Sequence, residues 1–462
     1  MKKALVYCGA LAALAFGACK KEAQQPVAER PLSAGVTYLA NGDTLPNIIE
    51  GGDTIRLEGA CNTFYLDGKC YVKRGGVLVI KQGVTVKGIS KPTPAEASAL
   101  VITRGGRIFA DGTETQPIIF TSTVDSVGKW GGVVILGQAP INQDTTTVTI
   151  EGIDLPSLPA GVDVHFGGSN SSDNSGRFNY VRIYNAGAAI SPNNELNSLT
   201  LGGVGSGTQI HHVLAANGAD DAFECFGGTV SLRYIIAQST NDDAFDFDFG
   251  YRGAIQFALA VVKSVDNTFN GDANGIESDN DGTGSSATPQ TRPVISNMTI
   301  IGGNSAAVTG TVRGTRFRRN SSGILYNSII MGYNTGYAEI AIQSVRHNLI
   351  QAFTTGATPA LDASNKVWVG GNANDSIRLR NPFGSLPTVW MFGQPNSPAT
   401  FDARPDTTVG SPAATGAVFN EAPINAFVGG SGMTAVSYRG AFDPAAANGT
   451  AWMAFALDNT CN

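Results

Sequence analysis

The chain has 462 residues, 15% of them charged, and a formal net charge of −6. So acidic a sequence lacks the basic footprint of a nucleic-acid-binding protein. Beyond the N-terminus no segment reaches the roughly 18 uncharged apolar residues of a membrane-spanning helix, and the acids suit divalent cations or a basic partner.

Lys2 and Lys3 precede an apolar run from Ala4 to Phe16, the pattern of a signal peptide over residues 1–18. The run ends in FGAC, which resembles the lipobox of bacterial lipoproteins. That resemblance implies a lipidated Cys19, a membrane link through the lipid alone, and an outer-membrane location facing the periplasm or the cell surface. Residues 19–35 are polar and proline-bearing with no periodic pattern, which predicts a flexible tether.

Cys61 and Cys70 flank NTFYLDGK, a spacing suited to a small disulfide-closed loop in an oxidising compartment. From there the chain runs in short apolar strands broken by Gly, Asn and Asp: YVKRGGVLVIKQGVTVKG, ALVITRGGRIFADG, WGGVVILGQAPIN, IHHVLAANG, LRYIIAQST and ISNMTIIGG. Strands at a drifting period of about 20 to 30 residues, with no helical pattern between them, predict an all-β right-handed parallel β-helix. It is placed over residues 36–350, with residues 351–462 as irregular loops and a cap packed on the solenoid. Asn297 and Asn327, 30 residues apart, are expected in a structural ladder at the turns.

Within the solenoid, GRFNYVRIYNAG predicts Phe178, Tyr180, Arg182 and Tyr184 on one strand face, an aromatic and basic stripe able to stack a sugar ring. The adjacent His211 and His212 are expected on opposite faces, which disfavours a zinc site. The clearest signal is a doubled acidic corner. NGADDAFECFGG at 217–228 is nearly rewritten as TNDDAFDFDFG at 240–250, an offset of 22 residues. In a β-helix equivalent residues of neighbouring coils lie about 4.8 Å apart, so Asp221 is expected over Asp243 and Glu224 over Asp246. A third turn, DANGIESDNDG, extends the columns with Asn274 and Glu277. Stacked carboxylates repel unless a cation, a donor or a shared proton intervenes. The oxygen-rich set Asp221, Glu224, Asp243, Asp246 and Glu277 therefore predicts either a folding device, its carboxylates accepting backbone N–H groups at the turns, or a site for a hard cation, Ca²⁺ by preference.

KWGGVVILGQAPIN, LTLGGVGSGTQIHHV, DDAFECFGGTV and DDAFDFDFGYRGAIQF, quoted as they stand here, resemble a family of bacterial (Bacteroidota-type) lipoproteins assigned a pectin-lyase-like right-handed parallel β-helix. The resemblance implies the fold and carries no reaction. The functional expectation is a non-catalytic cell-envelope lipoprotein, a scaffold presenting a side face to a polysaccharide or an envelope protein. The alternative is a Ca²⁺-dependent polysaccharide lyase or glycoside hydrolase at the 221–277 corner. A lyase would use Asp243 and Asp246 together with Arg252 or Lys263, to take the proton beside a uronate carboxylate or hold the charge that develops. Arg313, Arg316, Arg318 and Arg319 are expected to pair with the acid columns or to line the neighbouring groove for an anionic glycan.

Overall fold

The computed structural model describes residues 35–153, 155, 158–191, 194–261, 273–305, 313–339, 344–384, 400–429, 432–447 and 451–457. Cys19, Lys263 and the segments read as signal and tether lie outside these residues. Among the described residues, no helix is long and apolar enough to cross a membrane.

The backbone is an all-β right-handed parallel β-helix, its described strands joined in one 26-stranded sheet from Val36–Tyr38 to Lys366–Val369. Each early coil contributes three strands. A first face stacks Thr54–Leu57, Val77–Lys81 and Arg107–Asp111; a second stacks Thr63–Leu66, Thr85–Gly88 and Ile118–Ser122. The third face runs through Lys69–Val72, Ala99–Ile102, Gly132–Leu136, Leu199–Gly202, Phe223–Phe226, Phe245–Asp248, Glu277–Ser278 and Arg313–Phe317. Inward-pointing side chains such as Leu78, Phe120, Phe223 and Ile295 fill the tube. Alternation at period two puts their neighbours outside.

From Gly176–Tyr184 onward the first and second faces are made by one bent strand, whose halves pair with Arg107–Asp111 and Ile118–Ser122. The bend recurs in each coil at a residue with positive φ: Tyr180, His212, Tyr234, Phe257, Asn297, Asn327 and His347, all between 51° and 59°. A left-handed residue with a Cβ costs roughly 1–2 kcal/mol. Stacking opposes that cost, with ring centroids 4.4 Å apart for Tyr180–His212, 4.6 Å for His212–Tyr234 and 5.1 Å for Tyr234–Phe257.

These bends overturn three expectations that rested on strand parity. Phe178 points into the core, while Arg182 and Tyr184 face outward beyond the Tyr180 bend. Arg182, 2% exposed, donates from Nε to the carbonyl of Phe455 at 2.6 Å, so the stripe is covered and offers no sugar platform. His211 and His212 are not splayed apart: their Nδ1 atoms lie 3.0 Å from each other. Burial, then His211 and Arg233, hold His212 down to about 3, and it sits within the ring stack.

The irregular C-terminal region lies along the second face, where Leu214, Ile236, Leu259, Ile329 and Leu349 pack against Ile377, Phe401, Phe442, Met453 and Phe455. Asn297 and Asn327 occupy corner positions in consecutive coils and tie this region down. Asn297 Nδ2 donates to the Tyr438 carbonyl at 2.8 Å, and Asn327 both donates to Val418 O at 3.0 Å and accepts from its N–H at 2.8 Å.

The expected Cys61–Cys70 disulfide is absent. Cys70 is a free thiol, 2% exposed and pointing into the core from a third-face strand, and burial pushes it up to about 12. Cys61 sits at the left-handed turn (φ 68°) before the second-face strand and is disulfide-bonded, to a cysteine other than Cys70. A corner and a full strand separate the two positions, which is why loop length alone misled.

Candidate functional site

The doubled corner stacks as its spacing requires. At the turn before the third face, each side-chain oxygen accepts a backbone N–H from the next coil. Asn197 Oδ1 accepts from Asp221 N at 3.1 Å, Asp221 Oδ1 from Asp243 N at 2.8 Å, and Asp243 Oδ1 from Asn274 N. All four residues are buried. Two residues into the strands, the second column runs Thr200, Glu224, Asp246, Glu277 and Arg316 in register. Phe223, Cys225, Phe245 and Phe247 turn into the core, so this column lies on the outer surface of the third face.

Three groups of carboxylates have ligand oxygens mutually within 4.8 Å: Asp220, Asp221 and Asp242; Asp221, Glu224 and Asp246; Asp243, Asp246 and Glu277. They share Asp221 and Asp246, so they form one continuous chain of acids. Asn197 Nδ2 and Asn274 Nδ2 donate to Glu224 and Glu277 respectively, but Asp246 Oδ1 is buried without a hydrogen-bond partner.

The electrostatics follow from this crowding. Burial, then Asp242, Glu151 and Glu195, push Asp220 up to about 8. Burial also raises Asp221, Glu224, Asp243 and Asp246 well above the usual carboxylate range; the next contributors are Asp220, Glu151 and, for both Asp243 and Asp246, Glu277. Asp248 is lifted to about 7, chiefly by burial and against the pull of a hydrogen bond from the Phe249 N–H. A set of oxygens this dense must keep protons or take up a cation. The donors are all carboxylate, the chemistry of a hard divalent ion, and the orphaned Asp246 oxygen is the kind of atom such an ion would satisfy.

Cationic side chains close the column at one end. Arg316 reaches Glu277 at 3.4 Å and Glu339 at 2.9 Å, while Arg318 pairs with Glu277 and, at 2.9 Å, with Asp279; Arg319 adds a contact to Asp279 at 2.8 Å. Arg252 is exposed, on the turn that leaves strand Phe245–Asp248, at the opposite end of that strand from Asp243. Arg316 and Arg318 thus pair with the column, and Arg319 with Asp279 beside it.

Sequence reasoning missed six acids, and two of them, Asp220 and Asp242, stand in the quoted repeat beside Asp221 and Asp243. Asp248 and Asp279 follow Asp246 and Glu277 at period two, so the alternation in FDFD and ESD carried a usable signal. Glu151 comes from the long insertion between Gly132–Leu136 and Gly176–Tyr184, Glu195 from the small hairpin Ala189–Ser191/Asn194–Glu195 that follows, and nothing in their neighbourhood announces that they fold back onto the corner.

A parallel solenoid with an acidic, cation-ready outer face belongs to the class of pectate-lyase-like β-helices. The chain is a member of the family described as "Pectate-lyase like beta helix domain", which matches residues 52–365. Neither the curated proteins nor the solved structures contain a match to it. The expectation of a non-catalytic scaffold is thereby corrected. On a pectate-lyase-like helix, buried acids gathered into three cation-sized groups speak for a catalytic role and against a purely scaffolding one.

Proposed function

We propose that the protein is a Ca²⁺-dependent polysaccharide lyase acting on a uronate-containing polymer at the 220–318 face. The observation that carries this reading is the column Glu224–Asp246–Glu277 with an unpartnered buried oxygen at its centre and Arg316 at its end. Asp221, Glu224, Asp243, Asp246 and Glu277 would hold the ion. Bound calcium would neutralise a uronate carboxylate and so acidify the proton on the neighbouring carbon.

The chain's own residues do the rest. Carboxylates from three coils fix the reacting sugar's position along the helix axis. Arg318, its own pKa raised through Glu277 and Asp279 against the opposing cost of burial, stays charged, so its task is to hold the negative charge that develops rather than to remove the proton. Arg316 has the same reach into the column. Lys263 is the proposed base: it takes the proton beside the carboxylate, the bond to the leaving sugar's oxygen breaks as the double bond forms, and that oxygen takes a proton from water; Arg252 remains a further proposed cation. The lipid on Cys19 and the outer-membrane location belong to the same proposal, and metabolic labelling with a radioactive fatty acid in a Cys19→Ala comparison tests them.

The test of the activity is incubation with polygalacturonate, alginate and glucuronate-containing glycans, with and without calcium, reading ultraviolet absorbance of unsaturated products. Calcium-dependent absorbance lost in Asp246→Asn supports the lyase. New reducing ends without absorbance would mean hydrolysis instead, and neither product from any polymer would remove the reading.

A further inference from the structure

A cleft of about 430 Å³ opens beside the acidic corner. Its floor is laid by Gly128, Gly187, Ala219 and Asn241, the corner residues of four successive coils. The stacking shows in the hydrogen bonds Lys129 N to Asn185 O, Ala219 N to Ala186 O and Asn241 N to Gly218 O. At about 4.8 Å per coil the floor is roughly 14 Å long. Small residues let the coils close up here: a Cβ at Gly187, whose φ is +90°, would meet the backbone nitrogens of Ala219 and Asp220 in the next coil at 2.7 Å. Ala219 and Asn241 immediately precede Asp220 and Asp242, so the cleft runs up to the first group of acids.

Its walls differ in charge. Lys91 and Lys129 line it together with Glu195. Lys91 is half-buried and fixed by an ion pair with Asp67. Lys129 is exposed and, among the described residues, has no ion-pair partner. Ser90, Thr93 and Asn241 add neutral polar groups, and the lining holds no aromatic ring. A neutral glycan is ordinarily gripped by ring stacking, which this cleft does not offer. Its size falls within the ~300–1,000 Å³ of small-molecule sites, and its recognition groups are charges and hydrogen bonds.

We propose that this cleft is a binding subsite for an acidic oligosaccharide, with Lys129 and Lys91 on its carboxylates and Glu195 and Asn241 on its hydroxyls, leading the chain to Asp220 and Asp242. The proposal rests on the uronate-lyase reading for its ligand class, and places recognition outside the acid column itself.

Calorimetry tests it on the intact protein with short saturated oligouronates (galacturonate, mannuronate, guluronate), in EDTA to arrest turnover and again with calcium. Losing one charge-assisted contact weakens binding about ten-fold. Lys129→Ala is expected to do so, Lys129→Glu to do so further, and the methyl-esterified oligomers to bind neither variant nor wild type. Calcium titrations of both variants should match wild type, since neither residue is an ion ligand. Equal binding by wild type and Lys129→Glu, equal binding of the esterified oligomers, or no binding of any oligouronate would overturn the subsite. If the lyase reading alone were wrong, oligouronates would still bind through Lys129 while no polymer was cleaved. If the subsite alone were wrong, cleavage would persist with an unchanged KM in Lys129→Glu.

Discussion

The acid chain makes stability depend on pH in a direction opposite to that of ordinary salt-bridged carboxylates. Asp220, 9% exposed, is moved from its ordinary 3.8 up to about 8. Between those two values the folded protein keeps a proton that the unfolded chain releases. The contribution is therefore present in full below about pH 4 and is lost as pH rises through about 8. At about 1.4 kcal/mol per pH unit, Asp220 accounts for on the order of 5 kcal/mol across that window. With an unfolding entropy of about 2 cal/mol/K per residue, a chain of this size would lose roughly 5 °C in Tm. A divalent cation removes the repulsion and reverses the loss, by an amount that grows with its concentration over Kd. The assay is thermal unfolding from pH 5 to pH 8 in EDTA and in calcium, on wild type and Asp220→Asn. Tm should fall with pH in EDTA, the fall should shrink in Asp220→Asn, and calcium should restore Tm most at pH 8. A flat or rising Tm in EDTA, or a variant with the wild-type slope, would refute the reasoning.

Asp246→Asn keeps the shape of the column but removes the charge at its centre, and should weaken calcium binding at least ten-fold by calorimetry while the circular dichroism spectrum is unchanged. Arg318→Ala strips Glu277 and Asp279 of a half-buried partner; urea unfolding should show a loss of about 2 kcal/mol, recovered in part by Arg318→Lys. Asn327→Ala leaves the Val418 amide and carbonyl unpaired, and a cost of about 1–3 kcal/mol per unsatisfied buried group should appear as faster proteolysis within residues 400–457. Cys70 is buried and its thiol raised to about 12, so native protein should leave it unmodified by a thiol reagent that labels it promptly in denaturant.

What the sequence made legible is what repeats. Stacking one coil on the next converts a 22-residue offset into contact, so the pairs Asp221–Asp243 and Glu224–Asp246 follow from counting alone, while their extension to Asn274 and Glu277, across a longer coil, follows from matching NGIE to DAFD. Counting failed where the backbone leaves the extended region. A left-handed residue at Tyr180 or His212 resets which side chains face outward, and Tyr does not advertise positive φ as Gly or Asn does. It failed again for Glu151 and Glu195, because an insertion obeys no period. The disulfide was misjudged for a related reason: proximity along the chain says little when a corner intervenes between Cys61 and Cys70.

The same ladder shows why the acids are more than a folding device. Asn197 caps the corner one coil before Asp221, and Asn274 occupies the corresponding corner one coil after Asp243. Asn197 accepts the next coil's N–H with a side-chain oxygen just as the two aspartates do. An amide therefore meets the structural need at this corner. Aspartate at 221 and 243 provides the same bond and adds the desolvation and mutual repulsion that lift both groups well above the usual range, a cost the fold does not require. The extra acids at Asp220, Asp242, Glu224, Asp246 and Glu277 fall in the same three coils, and the next coil answers with Arg316 and Arg318. Repulsion gathered so locally, and ended so abruptly by arginine, is what a site able to receive a divalent cation needs.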